Sequence, residues 1–256
     1  KATKKEGEKM KRIFKITCLL LSLVTILSTW SVYVFAEDLS GSCGEKLTWT
    51  LDSEGTLTIK GTGEMENFWT APWYDQRRSV KKVVINEGVT SIGEYAFEYC
   101  LPLKEVSIPS TVKTINFAAF KGCEILETIT LAKNPVFEMK NGCLINVKEK
   151  KIVAGTTKAV IPTDGSIAII DDYAFSFRYF IKEIFIPKSV THIGTFAFEY
   201  CGTLNSVVFE ESSEVTIGNY AFYNCKLITE VVIPNAVKRI GNYAFYGCSG
   251  LVTATI

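Results

Sequence analysis

An Ala-Phe pair recurs along this chain at nearly fixed spacing, and the repeat restricts the possible folds more than any other feature. Six pairs occur, and their phenylalanines follow one another at steps of 23, 55, 23, 24 and 23 residues. These phenylalanines are Phe97, Phe120, Phe175, Phe198, Phe222 and Phe245. A period in the twenties indicates a solenoid, in which each coil buries its apolar face only against neighbouring coils.

Each copy begins with a short alternating stretch. In one copy Leu103, Val106 and Ile108 are apolar, and Glu105, Ser107 and Pro109 between and after them can face water. This pattern predicts a strand with one buried face. Pro109 follows and ends the strand, because proline has no N–H for a β-ladder.

The slot three residues before the alanine of each Ala-Phe pair is occupied by glycine, asparagine or aspartate. Its six members are Gly93, Asn116, Asp171, Gly194, Gly218 and Gly241. Because these residue types tolerate a positive φ, we predict a left-handed corner at this slot. The Ala-Phe step then places a small residue against the neighbouring coil and a ring in the core, where stacked rings add about 0.5–1.5 kcal/mol per pair.

The complete phrase ends I-G-x-x-A-F-x-x-C and continues L-x-x-I-x-I-P, and it covers residues 79–256. It resembles the BspA-type leucine-rich repeat family. The resemblance implies a mainly β repeat solenoid with coils of about 23 residues and a parallel sheet on the concave face. It also implies a secreted or cell-surface protein of a family that includes adhesins and has no general catalytic residues.

Residues 37–78 do not follow the repeat, and they predict an N-terminal β cap. Leu47 to Leu51 and Thr56 to Lys60 alternate around a four-residue turn, which indicates a hairpin. Trp69, Trp73 and Tyr74 follow, and they could form a platform for stacking a carbohydrate. We favour the reading in which they belong to the core of the cap.

A 23-residue insert at residues 134–156 replaces the second half of one coil, in which no Ala-Phe pair occurs. Asn141-Gly142 between two apolar stretches predicts a tight hairpin, and a third short strand follows at Ile152-Val153. We therefore predict a small β-meander. The insert is either purely structural or a second binding surface.

Residues 10–36 have the pattern of a secretory signal peptide, and residues 1–9 form a charged segment upstream of it. Basic residues after Met10 precede an apolar run, and Val34-Phe35-Ala36 predicts cleavage after Ala36. A membrane anchor is the alternative, because the apolar run approaches the length of a transmembrane helix. We expect secretion or surface display without a membrane span after cleavage. The repeat stops inside a strand at Ile256, so we expect the chain to be a fragment.

Five cysteines share one repeat slot: Cys100, Cys123, Cys201, Cys225 and Cys248. Arg178 occupies this slot in another copy. Stacked coils hold equivalent side chains nearly parallel and about 5 Å apart, whereas a disulfide requires Cβ atoms that converge to about 3.8 Å. We therefore predict a row of buried free thiols.

Nothing in the sequence indicates an enzyme, a cofactor or a metal site. His192 is the single histidine, and its slot holds serine, threonine or arginine in other copies, which is typical of an exposed variable position. The chain has no C-x-x-C pair and no phosphate-binding or nucleophile motif. Residues 37–256 carry 21 Lys/Arg and 25 Asp/Glu, which argues against a nucleic-acid partner.

The predicted concave face contains the candidate binding site. The outward position between the two inward apolar residues of each strand includes large apolar side chains, which a core does not need. The candidate partner-binding residues are Val84, Ser107, Glu183, Phe185, Val208, Glu230 and Val232. Phe185 is the expected anchor, because aromatic residues are enriched among binding hot spots.

We therefore predict an exported binding module, an adhesin or another protein that interacts with host or matrix components. The expected partner is an extracellular protein or glycan. The alternatives are the non-catalytic recognition region of a larger surface hydrolase, whose catalytic domain lies beyond residue 256, and a structural spacer. The sequence leaves the oligomeric state open.

Overall fold

The computed structural model describes residues 39–211 and 214–255, which form a mainly β solenoid with one short 3₁₀ turn at Tyr74–Gln76. In chain order the strands are β1 (Leu39–Gly44), β2 (Leu47–Leu51), β3 (Thr56–Gly61), β4 (Lys82–Ile85), β5 (Ser91–Ile92), β6 (Glu105–Ile108), β7 (Thr114–Ile115), β8 (Thr128–Leu131), β9 (Phe137–Lys140), β10 (Cys143–Asn146), β11 (Lys151–Gly155), β12 (Ile169–Ile170), β13 (Glu183–Ile186), β14 (His192–Ile193), β15 (Ser206–Phe209), β16 (Thr216–Ile217), β17 (Glu230–Val232), β18 (Arg239–Ile240) and β19 (Thr253–Thr255).

The first strand of each repeat pairs in parallel with the first strand of the next, so that equivalent slots lie side by side. These strands form two sheets. The first long-strand sheet has the order β1-β2-β3-β4-β6-β8, and the second has the order β13-β15-β17-β19. The two-residue strands pair separately: β5 pairs with β7, and β18-β16-β14-β12 form one sheet with the longer strands β11-β10-β9. The predicted repeat solenoid is therefore confirmed, with its long-strand sheet divided in two.

The predicted N-terminal hairpin is present and continues the first long-strand sheet. β2 and β3 are antiparallel, and β3 pairs in parallel with β4 of the first coil. The buried face predicted for the hairpin is observed. It consists of Leu47, Trp49, Leu51, Leu57 and Ile59. The additional strand β1, which pairs with β2, was not predicted.

The aromatic residues after the hairpin differ in burial. Trp73 is buried, and its Nε1 donates a hydrogen bond of 2.7 Å to the Ala96 carbonyl, so the prediction of a core residue is correct there. Trp69, in contrast, is 92% exposed and stacks on Tyr95 with 6.3 Å between the ring centroids. The core prediction is therefore wrong for Trp69, because the ring lies outside the first coil instead of beneath it.

The Ala-Phe pairs and the cysteine slot form rows through the core. The rings of Phe175, Phe198, Phe222 and Phe245 stack at centroid distances of 4.9, 5.0 and 5.0 Å. The five cysteines of the repeat slot are buried and unpaired. Four of them (Cys123, Cys201, Cys225 and Cys248) donate Sγ–H hydrogen bonds of 3.0–3.1 Å to phenylalanine carbonyls of a preceding coil. The prediction of free thiols is confirmed in the structure, and burial raises the pKa of Cys123 to about 12.

The left-handed corner lies two residues after the predicted slot. The glycines of that slot do not have positive φ, whereas Tyr95, Tyr173 and Phe196 have φ of 53°, 58° and 55°. Glycine is favoured at the predicted slot because adjacent coils approach closely there. A Cβ added at Gly194 would lie 2.5 Å from the backbone nitrogen of Asp172. The prediction of a left-handed slot is therefore wrong, and close backbone approach is the physical reason for the glycines.

The outer turns use positive φ to connect neighbouring coils. Two residues of each turn, four positions apart, are left-handed, and amides along the turn donate to carbonyls of the next coil. The amides of Phe196, Phe198 and Tyr200 thus donate to Asn219, Ala221 and Tyr223 over 3.1, 2.7 and 2.8 Å. These hydrogen bonds and the ring stacking offset a backbone cost on the order of 1–3 kcal/mol per strained residue.

The insert forms the predicted three-stranded meander. β9 and β10 are antiparallel around Asn141-Gly142, which have φ of 49° and 75°, and β11 pairs with β10 on its other side. All four residues of β10 are buried. Leu144 belongs to the apolar core on the N-terminal side, while Cys143 and Ile145 belong to a separate core on the C-terminal side.

Arg178 replaces the slot cysteine in the coil after the meander, where the regular stacking is interrupted. Its side chain is fully buried. Nε donates to the Gly155 carbonyl over 2.7 Å, and Nη1 donates to the Cys123 and Ser176 carbonyls over 2.6 and 3.0 Å. The long side chain thus reaches carbonyl groups on both the meander and the preceding regular coil.

The proposed signal peptide at residues 10–36 and the upstream segment lie outside the described residues. Within residues 39–211 and 214–255, no helix is long and apolar enough to cross a membrane. The domain boundaries proposed from the sequence remain predictions.

Candidate interaction face

The structure distributes the seven candidate residues over the two long-strand sheets. Val84 and Ser107 lie opposite each other on β4 and β6, and both are half-buried. The other five lie on the second long-strand sheet, and all of them are exposed. The strongest clustering is therefore on the second sheet.

Three apolar side chains form a row across that sheet, which we call the apolar strip: Phe185, Val208 and Val232. Phe185 is paired with Val208 in the β-register, and Ser206↔Glu230 and Val207↔Val231 fix the position of Val232 beside Val208. The exposed fractions are 42%, 49% and 53% in strand order. Because strands lie about 4.8 Å apart, the strip extends over about 10 Å.

An open cleft of 680 Å³ adjoins the strip on β15 and β17. Val208 and Val232 contribute its apolar lining, and Pro234 with Ala236 continues this lining beyond β17. The carboxylates of Glu211 and Glu230 and the side chains of Asn205, Ser206 and Asn235 supply polar groups around it. The cleft thus combines apolar area with several polar groups, which is the usual chemistry of a binding site.

Sequence reasoning did not single out Val160, an exposed valine that lies outside the strands. Val160 precedes Ile161-Pro162 in the same way that Phe185 precedes Ile186-Pro187, and it is 61% exposed. Its segment does not form a strand, and its amide donates to the Asn141 carbonyl of the meander turn. The motif I-P was the available signal, but the adjacent insert obscured the repeat.

A second feature that the sequence did not predict is a row of rings along the outer turns. Neighbouring rings lie 4.8–6.3 Å apart. In order, the members are Trp69, Tyr95, Phe117, Tyr173, Phe196, Tyr220 and Tyr243. Each inner ring has a neighbour on either side, and most of these contacts are stacked, so the row offers mainly ring edges to solvent.

A charged cluster lies beside this row. The Lys121 ammonium contacts Glu98 at 2.8 Å and lies 4.9 Å from the centroid of the Tyr173 ring. Glu199 is 5% exposed, and its Oε1 has no hydrogen-bond partner in the described part of the chain. Burial raises the pKa of Glu199 to about 7, Lys121 opposes the increase, and Glu98 adds to it.

The residues considered for acid–base or metal chemistry are dispersed. His192 is exposed on β14, as predicted. Within residues 39–211 and 214–255, no group of three or more His, Cys, Asp or Glu side chains is arranged to hold a metal ion.

Comparison with known proteins agrees with this architecture. The BspA type Leucine rich repeat region matches residues 73–158 and 168–256 in six copies, which is more than half of the chain. The molecule is therefore a leucine-rich repeat solenoid, a class of recognition module. It belongs to the BspA-type leucine-rich repeat family.

Similar solved structures come from several bacteria. A leucine-rich repeat protein from Eubacterium ventriosum is 21% identical, with 86% of this chain and 85% of that chain covered and a TM-score of 0.45. A leucine rich cell surface protein from Faecalibacterium prausnitzii is 16% identical, with 85% and 94% covered and a TM-score of 0.45. The pneumococcal vaccine antigen PcpA is 14% identical, with 84% and 81% covered and a TM-score of 0.47. Comparison with curated proteins found no match.

Proposed function

We propose that this protein is an exported binding module that recognises an extracellular partner through the second long-strand sheet. The exposed apolar strip is the observation that carries the proposal. Phe185, Val208 and Val232 lie on three adjacent strands, although burial in the core requires none of them to be apolar. Exposed apolar area of this kind, bordered by polar groups, often marks an interaction site.

Adhesion at a cell surface is the form of recognition that we favour. The signal-peptide pattern of residues 10–36 supports export, and membership of a repeat family supports recognition by an extended surface. If the chain instead serves as the recognition region of a larger surface hydrolase, the same face would select that enzyme's target.

The test compares two double variants for binding to immobilised extracellular-matrix proteins and mucins. We expect Phe185→Ser with Val208→Ser to weaken the strongest interaction at least tenfold, because two apolar contacts are lost. The matched control is Val147→Ser with Leu227→Ser, two exposed apolar residues that lie in turns and do not line the cleft. Equal affinities of the two variants, at equal thermal stability, would reject the strip as the site.

A further inference from the structure

We infer that the partner presents a cationic polypeptide segment in which basic and apolar side chains alternate. This inference rests on the proposed function, because it assigns a chemistry to the ligand of the same face. Three observations support it: two carboxylates beside the apolar strip form no ion pair within the described residues, acidic and apolar side chains line the cleft, and the strip contains one aromatic ring.

The first residue of the long strand is charged on β4, β6, β13 and β17, and these charges are paired within the described part of the protein on the first long-strand sheet but not on the second. On the first sheet Lys82 pairs with Glu105 over 3.1 Å, which neutralises both groups within the protein. On the second sheet Glu183 and Glu230 occupy the same slot on either side of Ser206. Neither glutamate forms an ion pair with any residue that the structure describes. Two carboxylates beside the apolar strip are therefore available to a partner.

The charged side chains that line the cleft are also negative. The lining includes Glu211 and Glu230 and, among the described residues, no lysine or arginine. Lys188 and Lys238, on other segments of these coils, are already paired with Glu210 and Glu214. Complementary charge selects the partner and increases the rate of encounter, so this cleft favours a cationic ligand over an anionic one.

The apolar side chains of this surface favour a cationic peptide over a cation that has no apolar groups. Valine side chains and Pro234 line the cleft, and Phe185 extends the apolar area to the next strand. Apolar side chains of a peptide would contact this area, while intervening lysines or arginines reach Glu183 and Glu230. Backbone groups of the peptide would find partners in the amides of Asn205 and Asn235.

A glycan fits this face less well. Stacking of a sugar requires an open aromatic face, and Phe185 is the single aromatic side chain of the strip. Rings in the middle of the outer-turn row are stacked on both sides, and the more exposed Tyr243 at its end lies on an outer turn and not on the second long-strand sheet. Trp69 has an exposed ring, but it belongs to the N-terminal module and not to the second long-strand sheet.

The experiment uses three short fluorescein-labelled peptides and measures binding to the protein by fluorescence anisotropy. In the first peptide lysine alternates with valine or phenylalanine, in the second glutamate replaces lysine, and in the third serine replaces the apolar residues. We expect the first peptide to bind at least tenfold more tightly than either of the others, and more weakly as salt is added.

Two protein variants connect the result to the site. Glu183→Gln with Glu230→Gln should weaken binding of the first peptide about tenfold, because two charge contacts are lost. Glu105→Gln, in the same slot of the first sheet, should leave the affinity unchanged. Phe185→Ser with Val208→Ser should weaken binding by a similar factor while leaving the salt dependence in place.

The outcomes separate this inference from the proposed function. No preference for the lysine peptide over the glutamate peptide, or no effect of the double glutamine variant, would overturn the cationic partner and leave the strip as a binding site. If the lysine peptide binds but the strip variant has parental affinity, both the inference and the proposed site are wrong. If the protein binds immobilised glycans more tightly than any of the peptides, and the strip variant loses this binding, the strip remains the proposed site and the inference of a peptide partner is wrong.

Discussion

Glu199 should make the stability of this protein depend on pH, and Glu199→Gln should remove that dependence. The pKa of Glu199 rises from 4.5 to about 7 in the folded protein, chiefly because the carboxyl group is buried. Lys121 and Glu98 are the charged groups that oppose and add to this increase, and Tyr99, Tyr173 and Tyr200 carry further titratable groups that interact with Glu199. At about 1.4 kcal/mol per pKa unit, the ionised carboxylate costs the folded state about 3 kcal/mol.

The sign follows from linkage between proton binding and folding. Because the folded-state pKa is the higher one, the folded protein binds the proton more tightly than the unfolded chain does. This contribution to stability is fully present below pH 4.5 and is lost as pH rises to about 7. The neutral glutamine has no such loss, so Glu199→Gln should match the parent at pH 4.5 and be about 3 kcal/mol more stable at pH 8.

The assay is urea-induced unfolding of both proteins between pH 4.5 and pH 8, followed by circular dichroism at constant ionic strength. The difference between variant and parent isolates Glu199 from the remaining titrating groups. Glu138→Gln, an exposed substitution of the same type on β9, is the control and should not change the pH profile. If Glu199→Gln follows the parental profile, or if it is less stable than the parent at pH 8, the assignment of a buried, destabilising carboxylate is wrong.

Two further substitutions test the packing between coils. Gly194→Val should reduce the free energy of unfolding by about 2–4 kcal/mol in urea titrations, because its Cβ would lie 2.5 Å from the Asp172 nitrogen; a parental midpoint would show that the coils can separate at no cost. Arg178→Met should cost about 2–4 kcal/mol in the same measurement, because the Gly155 carbonyl loses the Arg178 donor and the Cys123 carbonyl keeps only the longer bond from the Leu126 amide. Arg78→Met, at an exposed arginine, is the control for the loss of charge, and equal stability of the two methionine variants would contradict the bridging role of Arg178.

The regular part of the solenoid could be predicted from the sequence because each slot is repeated. Six copies show the same apolar spacing, so the buried strand positions, the stacked phenylalanines and the cysteine row follow directly from the pattern. The hairpin and the turn at Asn141-Gly142 were also predictable, since both depend on local turn chemistry.

The parts that escaped prediction depend on contacts between coils. Tyr95 and Phe196 adopt positive φ against their intrinsic preference, and hydrogen bonds to the next coil hold them there. Glu199 interacts with Lys121 although the meander lies between them in the sequence. The exposure of Trp69 and the reach of Arg178 are likewise set by neighbouring segments, about which local sequence contains little information.

The candidate site was predicted in part. The outward positions on the second long-strand sheet follow from strand alternation, and they are exposed in the structure. The charge difference between the two sheets depends on which glutamates find a lysine on the adjacent strand, and this becomes visible only when the register is known.

The β10 strand separates the solenoid into an N-terminal part and a C-terminal part, each with its own apolar core. Its odd-numbered residues Cys143 and Ile145 close one core, and Leu144 closes the other, so each core ends on its own side of a single strand. Coils added or removed on one side would not change the apolar surface that the other side meets. Repeat number can therefore vary within each part during evolution, provided that the coils joined by Arg178 and by the Phe117–Tyr173 ring contact stay beside the meander.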